Sequence, residues 1–146
     1  MYEVYTDGAC KNNGAEDAKG GMGVYCGPLE IERSVKWTLF EKPTNQRCEM
    51  MAVAIALATT ATVEEVCILS DSEYVVRGLN EWIHNWKAKN WTNSKGKPIK
   101  NRWLWELLDG LRENRNVSFK HVPAHVGIEG NEKADSLACE AAGITV

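Results

Sequence analysis

The sequence predicts an α/β domain, in which an antiparallel meander is joined to parallel strands and covered by helices. The segments 2–7, 21–26 and 31–39 have strand-like composition and are separated by short polar loops, which is typical of a meander. The segment 66–69 is a continuous apolar run, as expected of a strand buried on both faces of a parallel sheet. Two Ala-rich segments have helical composition and spacing. Together these patterns indicate the α/β class.

Length and composition bound the kind of protein. A chain of 146 residues with 44% hydrophobic residues fits one globular domain, and no repeat or long linker divides 1–146. No apolar segment could span a membrane and no secretion signal is visible, so we expect a cytoplasmic protein. Five cysteines without a C-x-x-C spacing predict reduced thiols rather than a zinc site or a disulfide framework. The net charge of −3 gives no overall indication of a nucleic-acid partner.

The first strand leads to the first candidate site residue. Residues 2–6 alternate between two faces, and the following Asp7-Gly8 dipeptide predicts the end of the strand. Asp7 is therefore expected at the carboxyl end of a strand, where α/β sheets bind ligands. Taken alone, a turn-forming role is the commoner one for an aspartate in this context.

A polar loop and a helix follow. The segment 11–20 is rich in Gly and Asn and predicts a loop, and a helix begins near residue 45 with Thr44 or Asn45 as its cap. The helix runs to Ala61, and Glu49 lies on or beside the face that packs against the sheet. A buried acid needs a partner, whereas a helix-surface glutamate does not, and both alternatives remain open for Glu49.

The second half of the chain repeats the pattern of acids near strand ends and packed helix faces. Asp71 follows the buried strand 66–69 directly, as Asp7 follows the first strand, and a short helix is expected at 72–78. The last strand is predicted at 117–122.

A final helix is expected at 131–142 and ends at Gly143. Asp135 lies one turn inside it, next to its packed face.

Four carboxylates could therefore converge on one edge of the sheet: Asp7, Glu49, Asp71 and Asp135. Clustered carboxylates repel one another and lose hydration, so a fold keeps them together only if cations compensate. Oxygen ligands select hard ions such as Mg²⁺ or Mn²⁺. Two such ions about 4 Å apart form a known device for phosphodiester hydrolysis. Each acid alone is weak evidence, whereas the four together indicate this chemistry.

One histidine stands near this predicted cluster in the sequence. His125 lies in the loop after the last strand, ten positions before Asp135. A loop histidine beside metals can transfer protons, because its reference pKa of about 6.5 lies near working pH. The alternative is a plain surface histidine. We expect His121, in the last strand, to pack or to form a hydrogen bond.

The segment Trp82–Arg102 is strongly basic and contains no acid. Its basic residues are Lys87, Lys89, Lys95, Lys97, Lys100 and Arg102, and Trp82, Trp86 and Trp91 alternate with them. Basic residues mixed with aromatic ones suit a nucleic-acid groove. The alternative is a solvated segment whose tryptophans fill a small core of their own. We expect both, with tryptophan packing shaping a protrusion at 82–102 whose lysines face phosphates.

Six motifs identify a family resemblance. They are Tyr5–Cys10, Thr44–Glu49, Ser70–Tyr74, Trp82–Trp86, His121–His125 and Gly130–Asp135. With these motifs the chain resembles a type 1 ribonuclease H over essentially its whole length. The resemblance implies a ribonuclease H-like fold, with a five-stranded mixed sheet of order 3-2-1-4-5 flanked by helices. It also implies endonucleolytic cutting of the RNA strand of RNA–DNA hybrids with two Mg²⁺ ions, leaving 3′-hydroxyl and 5′-phosphate ends; Mn²⁺ is a possible substitute.

The resemblance also implies roles for individual residues. Catalytic and metal-binding roles fall on Asp7, Glu49, Asp71 and Asp135, and an auxiliary role falls on His125. Substrate contacts fall on Cys10, Asn13, Asn45 and Gln46, and the basic segment corresponds to a handle that grips the hybrid through Trp82, Trp86, Lys87, Lys89, Lys95 and Lys97. The chain departs from the family pattern at Ala124, where Gly is usual, at Glu73, where Gln is common, and in a longer, more acidic loop at 11–20.

The sequence thus predicts a hybrid-specific endoribonuclease, expected to be a monomer without an obligate protein partner. One alternative is a related metal-dependent nuclease, such as an integrase-type strand transferase, against which the basic segment and the His125 loop argue. The other is a module that binds hybrids without cutting them. Because all four acids are present, inactivity would need a cause outside them.

Overall fold

The computed structural model describes residues 1–145 and contains a five-stranded mixed sheet flanked by helices. The strands are β1 (Tyr2–Lys11), β2 (Lys19–Cys26), β3 (Ile31–Lys36), β4 (Glu65–Ser70) and β5 (Asn116–His121). The helices are α1 (Asn45–Thr59), α2 (Glu73–Arg77), α3 (Ile83–Ala88), α4 (Arg102–Arg112) and α5 (Glu129–Ala142), with a π-helical turn, Gly78–Trp82, between α2 and α3. The strand order β3-β2-β1-β4-β5 confirms the predicted α/β class and topology.

The central strand β1 pairs differently with its two neighbours. Its parallel ladder with β4 ends at the pair Thr6↔Ser70, whereas its antiparallel ladder with β2 continues as far as Lys11↔Lys19. Asp7, opposite Gly23 of β2, is therefore the first residue of β1 beyond the parallel ladder. The prediction that the strand ends at Asp7-Gly8 is wrong, because pairing with β2 keeps this stretch extended.

Gly8 serves close packing rather than a turn. A Cβ atom at this position would clash with the backbone of Cys48 and Glu49, which belong to α1. A glycine inside a strand often marks such an approach of another backbone. The absence of a side chain at Gly8 thus brings the backbone of α1 directly against β1, next to Asp7.

Local signals fix the two long helices. Thr44 is the N-cap of α1, and its hydroxyl accepts the N–H of Arg47 at 3.1 Å, as the sequence predicts. Gly143, in a left-handed conformation with φ 76°, ends α5. Side chains at Gly21 and Gly23 would meet the backbone of α5, so these glycines let α5 lie close against β2.

Some predicted boundaries shift. The polar loop covers residues 12–18 rather than 11–20, and the third strand ends at Lys36 instead of Leu39. The final helix begins at Glu129 rather than Asn131. Within residues 1–145 all five cysteines are free, and no helix is long and apolar enough to cross a membrane.

One helix, α4, was not predicted from the sequence. α4 buries Leu104, Trp105 and Leu108 against the main core, and these belong to an apolar face that also includes Leu107 and Leu111. The leucines are spaced at i, i+3, i+4 and i+7, which is a clear amphipathic pattern. The helix begins beyond Asn101, a residue of a usual N-cap type with φ 60°, whose Oδ1 accepts the Nε–H of Arg47 at 3.1 Å instead of capping the helix.

Candidate active site

Three carboxylates meet at one edge of the sheet. Asp7 comes from the middle of β1, Glu49 from the second turn of α1, and Asp71 from the position directly after β4. One carboxylate oxygen from each residue lies within 4.8 Å of the others. Oxygen atoms gathered at this spacing can share a hard divalent cation. The structure thus brings together three of the four acids singled out in the sequence.

Asp7 is the most perturbed of these acids. Its side chain is buried, with 5% of the residue's surface exposed. Burial, the negative charge of Asp71 and the contact with Asp135 raise the pKa of Asp7 to about 9, against a small opposing effect of the Gly8 N–H, which donates to its Oδ1 at 2.9 Å. In the absence of a cation, the folded protein therefore favours the protonated form of Asp7 at neutral pH.

Glu49 shares this environment in a milder form. Burial raises its pKa, and the charge of Asp71 adds to the effect, while a hydrogen bond with the hydroxyl of Ser72 lowers it. Ser72 also caps α2, because its Oγ accepts the N–H of Val75 at 3.3 Å. The alternative of a free surface glutamate is therefore wrong, because Glu49 is half-buried and faces other carboxylates.

Asp135 lies beside the cluster rather than within it. Among the described carboxylates it stands outside the set of three, although it is close enough to Asp7 to raise the pKa of that residue. The thiol of Cys139, one turn later on α5, lies 3.7 Å from Asp135 Oδ1. Burial and the neighbouring acid raise the pKa of Cys139 to about 11, so the thiol stays protonated and can donate to this carboxylate.

Asp71 is contacted by two side chains that the sequence analysis did not connect with it. Asn131 Nδ2 donates to Asp71 Oδ2 at 3.2 Å, and His121 Nε2 lies 3.2 Å from the main-chain oxygen of Asp71. The expected hydrogen bond of His121 is thereby confirmed. Because these partners lie 50 or more positions from Asp71 in the chain, local patterns could not reveal them.

His125 stands apart from the carboxylates. It is exposed in the loop that joins β5 to α5, and its backbone has a left-handed φ of 54°. Asn and His adopt this conformation more readily than bulky or branched residues do. In the described structure this histidine forms no hydrogen bond or ion pair with the acids, so its auxiliary role stays a prediction.

Three of the four predicted substrate contacts surround one cavity at the start of α1. The cavity has a volume of about 420 Å³ and is lined by Asn13, Gly14, Thr44, Asn45, Gln46 and Lys100. Asn13 Oδ1 accepts the N–H of Asn45 at 3.1 Å, which ties the loop after β1 to the helix. Cys10 lies behind this surface, where its buried thiol faces the carbonyl of Pro43 at 3.6 Å.

Comparison with known proteins decides the family. A family profile described as RNase H matches residues 1–143 of the chain. The chain belongs to the ribonuclease H family. The predicted family and enzyme class are therefore confirmed.

Relatives within the ribonuclease H family extend over almost the whole chain. A protein named Ribonuclease H from Pseudomonas putida (strain W619) is 40% identical over 136 residues, which is 93% of this chain and 89% of the relative. Ribonuclease H from Paramagnetospirillum magneticum (strain ATCC 700264 / AMB-1) is 43% identical over 139 residues, covering 94% of this chain and 87% of the relative.

Solved structures agree with this assignment to the ribonuclease H family. LC9-RNase H1, described as a type 1 RNase H with the type 2 active-site motif, has a TM-score of 0.78 and 31% identity, covering 97% of this chain and 71% of the other. A foamy viral protease–reverse transcriptase in complex with an RNA/DNA hybrid has a TM-score of 0.81 and 25% identity, covering 97% of this chain and 20% of the longer one.

Two tryptophans of the basic segment, Trp82 and Trp86, form an aromatic cluster with Trp105 of the main core. Trp86 lies 5.2 Å from Trp105 of α4 and 6.0 Å from Trp82, measured between ring centroids, and Tyr74 closes the cluster at 5.4 Å from Trp105. Both Trp82 and Trp86 are half-buried. The tryptophans therefore do pack, but Trp86 packs against the main core through Trp105 rather than in a core of its own, and the contact of Trp82 and Trp86 with substrate stays a prediction.

The lysines of the basic segment fall into two groups. Lys87 Nζ lies 2.9 Å from Asp109 Oδ2, so this lysine is engaged with α4. Lys89, Lys95 and Lys97 are exposed. The loop that carries Lys95 and Lys97 is fixed by Asn93, whose Oδ1 accepts the N–H groups of both. The second group is thus presented to solvent on an ordered turn.

Proposed function

We propose that this protein cuts the RNA strand of RNA–DNA hybrids endonucleolytically, using two Mg²⁺ ions and leaving 3′-hydroxyl and 5′-phosphate ends. The observation that carries the proposal is the meeting of Asp7, Glu49 and Asp71 within 4.8 Å in a chain of the ribonuclease H family. Asp135, beside Asp7 on α5, is proposed as the fourth ligand. Mn²⁺ is a possible substitute for Mg²⁺, because both ions bind oxygen ligands.

The residues present fit a hard divalent cation. The three oxygens of the cluster come from carboxylates, which are the ligands that Mg²⁺ prefers. A pKa of about 9 for Asp7 means that this carboxylate needs a neighbouring positive charge to stay ionised at neutral pH. When bound, such ions activate an attacking water and stabilise the charge on the leaving oxygen.

Each residue of the site has a proposed task. Asp7, Glu49 and Asp71 would provide oxygen ligands for the cations, and their positions on β1, α1 and the end of β4 keep those oxygens in place without the substrate. His125 would exchange a proton at its imidazole, which its exposed loop position allows. The task of this histidine is auxiliary. His125 forms no bond with the described carboxylates, so the cation-binding residues keep their positions without it.

Two surfaces are proposed to hold the substrate. The cavity of about 420 Å³ lined by Asn13, Asn45, Gln46 and Lys100 offers amide groups and one positive charge at the start of α1. The exposed lysines of the basic segment would bind phosphates, which fix the position of a duplex without reading its sequence. A solved neighbour of this chain is a complex with an RNA/DNA hybrid, which supports this substrate class.

The deciding experiment offers three labelled substrates to the protein with Mg²⁺: an RNA–DNA hybrid, double-stranded RNA and double-stranded DNA. We expect cleavage of the RNA strand of the hybrid alone, with internal cuts whose products can be extended from a 3′-hydroxyl. Cutting or joining of double-stranded DNA would favour the strand-transferase alternative. Hybrid binding without any product would favour the binding module. Asp71→Asn, tested in parallel, identifies cleavage by a contaminating nuclease.

Other expectations accompany this proposal. We propose that residues 1–146 act as one catalytic domain, as a cytoplasmic monomer without an obligate partner.

A further inference from the structure

Asn131 is a buried amide at the edge of the carboxylate cluster, and the proposed function does not use it. Only 2% of its surface is exposed, and its Nδ2 lies 3.2 Å from Asp71 Oδ2. Because an ionised carboxylate can only accept hydrogen bonds, the amide nitrogen is the atom that must face it. The contact therefore occupies one oxygen of Asp71 and leaves the other oxygen available to a ligand.

We infer that Asn131 is a positioning residue for cation binding, which acts by fixing the carboxylate of Asp71. The inference rests on the proposed function, since it assumes that cations bind the cluster. It concerns a residue that donates to a ligand rather than a ligand itself. Groups of this kind orient metal ligands, and their loss lowers metal affinity.

The backbone around Asp71 is held by other contacts. His121 Nε2 lies 3.2 Å from the main-chain oxygen of Asp71, and Ser70 Oγ accepts the N–H of Ser72 at 3.1 Å. Loss of the Asn131 amide would therefore release the side chain of Asp71 while the turn that carries it stays in place. Because different residues hold the backbone and the side chain of Asp71, the effect of Asn131 on the carboxylate can be measured by itself.

Asn131 also links two parts of the site. It lies one turn before Asp135 on α5, so both residues lie on nearly the same side of the helix. Its bond to Asp71 joins positions that are 60 residues apart in the chain. The amide thus couples the helix that carries Asp135 to the acid that follows β4, and it fixes the spacing between those two carboxylates.

Removal of the amide should weaken cation binding for an entropic reason. A carboxylate that rotates freely must be ordered when the ion binds, and this ordering opposes binding. Loss of an outer partner of a metal ligand typically costs about 10–100-fold in metal affinity or activity. We expect a change of that size, because Asp71 is one of only three residues in the compact set.

The test compares four proteins: the parent, Asn131→Ala, Asn131→Leu and Asn80→Ala. Leu matches Asn closely in shape, so Asn131→Leu removes the donor without leaving the cavity that Ala would create. Asn80→Ala is the matched control, because Asn80 Nδ2 also donates to an oxygen, the carbonyl of Phe119 at 3.0 Å, but not to a carboxylate. Mn²⁺ binding to the substrate-free proteins is measured by titration, and the Mg²⁺ dependence of the melting temperature is measured alongside it.

Both Asn131 variants should require roughly 10–100-fold more cation for half-saturation, and Asn80→Ala should match the parent. At saturating Mg²⁺ the kcat of the Asn131 variants on a hybrid should recover most of the parental value. An unchanged or lower half-saturation in either folded Asn131 variant would overturn the inference, and so would lower metal-free stability with unchanged cation affinity. If the parent binds Mn²⁺ but cuts no hybrid, the proposed function fails, whereas the comparison of affinities still decides the role of Asn131.

Discussion

Lys87 Nζ lies 2.9 Å from Asp109 Oδ2, so one exposed lysine of the basic segment forms an ion pair with α4. Asp109 is itself partly buried, which would raise its pKa, but hydrogen bonds and charge from Lys87 and Arg112 outweigh burial and lower it. The ion pair therefore connects α3 with α4. Lys87 differs in this respect from Lys89, Lys95 and Lys97, and the two groups should respond differently to mutation.

The triple change of Lys89, Lys95 and Lys97 to Ala should raise KM by roughly tenfold and leave kcat nearly unchanged, because phosphate contacts act equally in the ground and transition states. Each lost contact should lower the log–log salt slope of binding by about 0.7–0.9. KM and kcat are measured from about 50 to 200 mM salt, over which phosphate contacts change affinity strongly. Lys133→Ala is the control, because Lys133 belongs to α5 and its Nζ lies over the ring of Tyr25 in β2, 5.2 Å from the ring centroid, away from the basic segment.

Lys87→Ala should behave in another way. We expect a loss of stability of up to about 1 kcal/mol, as for partly exposed ion pairs, with a smaller change in KM than in the triple variant. Thermal melting and hybrid kinetics measure the two effects. Suppose instead that Lys87→Ala raised KM as much as the triple variant and left the melting temperature unchanged. The ion pair with Asp109 would then not form in solution, and Lys87 would bind phosphate like the other lysines.

Asp71→Asn should abolish cleavage while hybrid binding survives. The substitution keeps the shape of the side chain and removes a charge that the cations need, which is worth several kcal/mol of transition-state stabilisation. Single-turnover cleavage and gel-based binding of a hybrid are compared with those of the parent. Turnover within about tenfold of the parent, a barrier change of only about 1.4 kcal/mol, would remove Asp71 from the catalytic set.

The metal-free protein should lose stability as pH rises. The pKa of Asp7 is raised from 3.8 to about 9 in the folded state, so the folded protein binds more protons than the unfolded chain between these values. The stabilisation that the raised pKa of Asp7 gives the folded state is complete below about pH 4 and is lost as pH rises through about pH 9. Melting temperatures in EDTA across this range measure the trend, and millimolar Mg²⁺ should raise them at neutral pH.

Asp7→Asn provides the companion measurement. It should raise the melting temperature in EDTA at neutral pH by several degrees, since about 1 kcal/mol corresponds to about 2–4 °C in a chain of this size. It should also remove the Mg²⁺ effect and abolish cleavage. A parent whose melting temperature ignores Mg²⁺ would argue against a preformed cluster.

His125→Ala should slow turnover about 10²-fold without abolishing it, the range typical of general acid–base assistance. The carboxylates keep their positions in this variant, because His125 is exposed and lies in a loop. Measurement of kcat at saturating hybrid and Mg²⁺ checks this value. Complete loss of turnover, or an unchanged kcat, would contradict the auxiliary role.

Gly8→Ala should destabilise the protein by about 1–3 kcal/mol, as overpacking typically does, because the new Cβ would clash with the backbone of α1. The shift of α1 should also move Glu49 and weaken cation binding. Gly110→Ala is the matched control: nothing lies within 4 Å of a Cβ at that helical position. There Ala should add up to about 1 kcal/mol of stability. Equal effects of both changes would show that Gly8 is not a packing contact.

Local patterns predicted those parts of the fold that depend on neighbouring residues. The cap at Thr44 and the apolar strand before Asp71 have signals within a few positions, and the structure agrees with them. The role of Gly8 is set by a helix some forty residues later, so the Asp-Gly pair resembles a turn when seen alone. The leucine spacing of α4 is likewise a local pattern, so this helix was predictable from the sequence.

The candidate site also combines residues that local sequence patterns indicate with contacts that only the folded structure reveals. Each acid was noticeable because of its place at a strand end or near a packed helix face, and the topology then brought Asp7, Glu49 and Asp71 together. The contact of Asn131 with Asp71 depends on how α5 lies against the sheet, and no local sequence pattern around residue 131 indicates it. Ligands can thus be proposed from sequence, whereas the groups that orient them require coordinates.

The position of Asp7 within β1, rather than at its end, has a consequence for how this protein loses activity. Asp7 pairs with Gly23 in the antiparallel ladder between β1 and β2, one residue beyond the parallel ladder with β4, so displacement of its backbone requires β1 and β2 to separate. Amides in such strands exchange with deuterium only through global opening. Heat inactivation and unfolding should therefore follow a single transition, and fluctuations of the outer loops should leave the acidic centre intact.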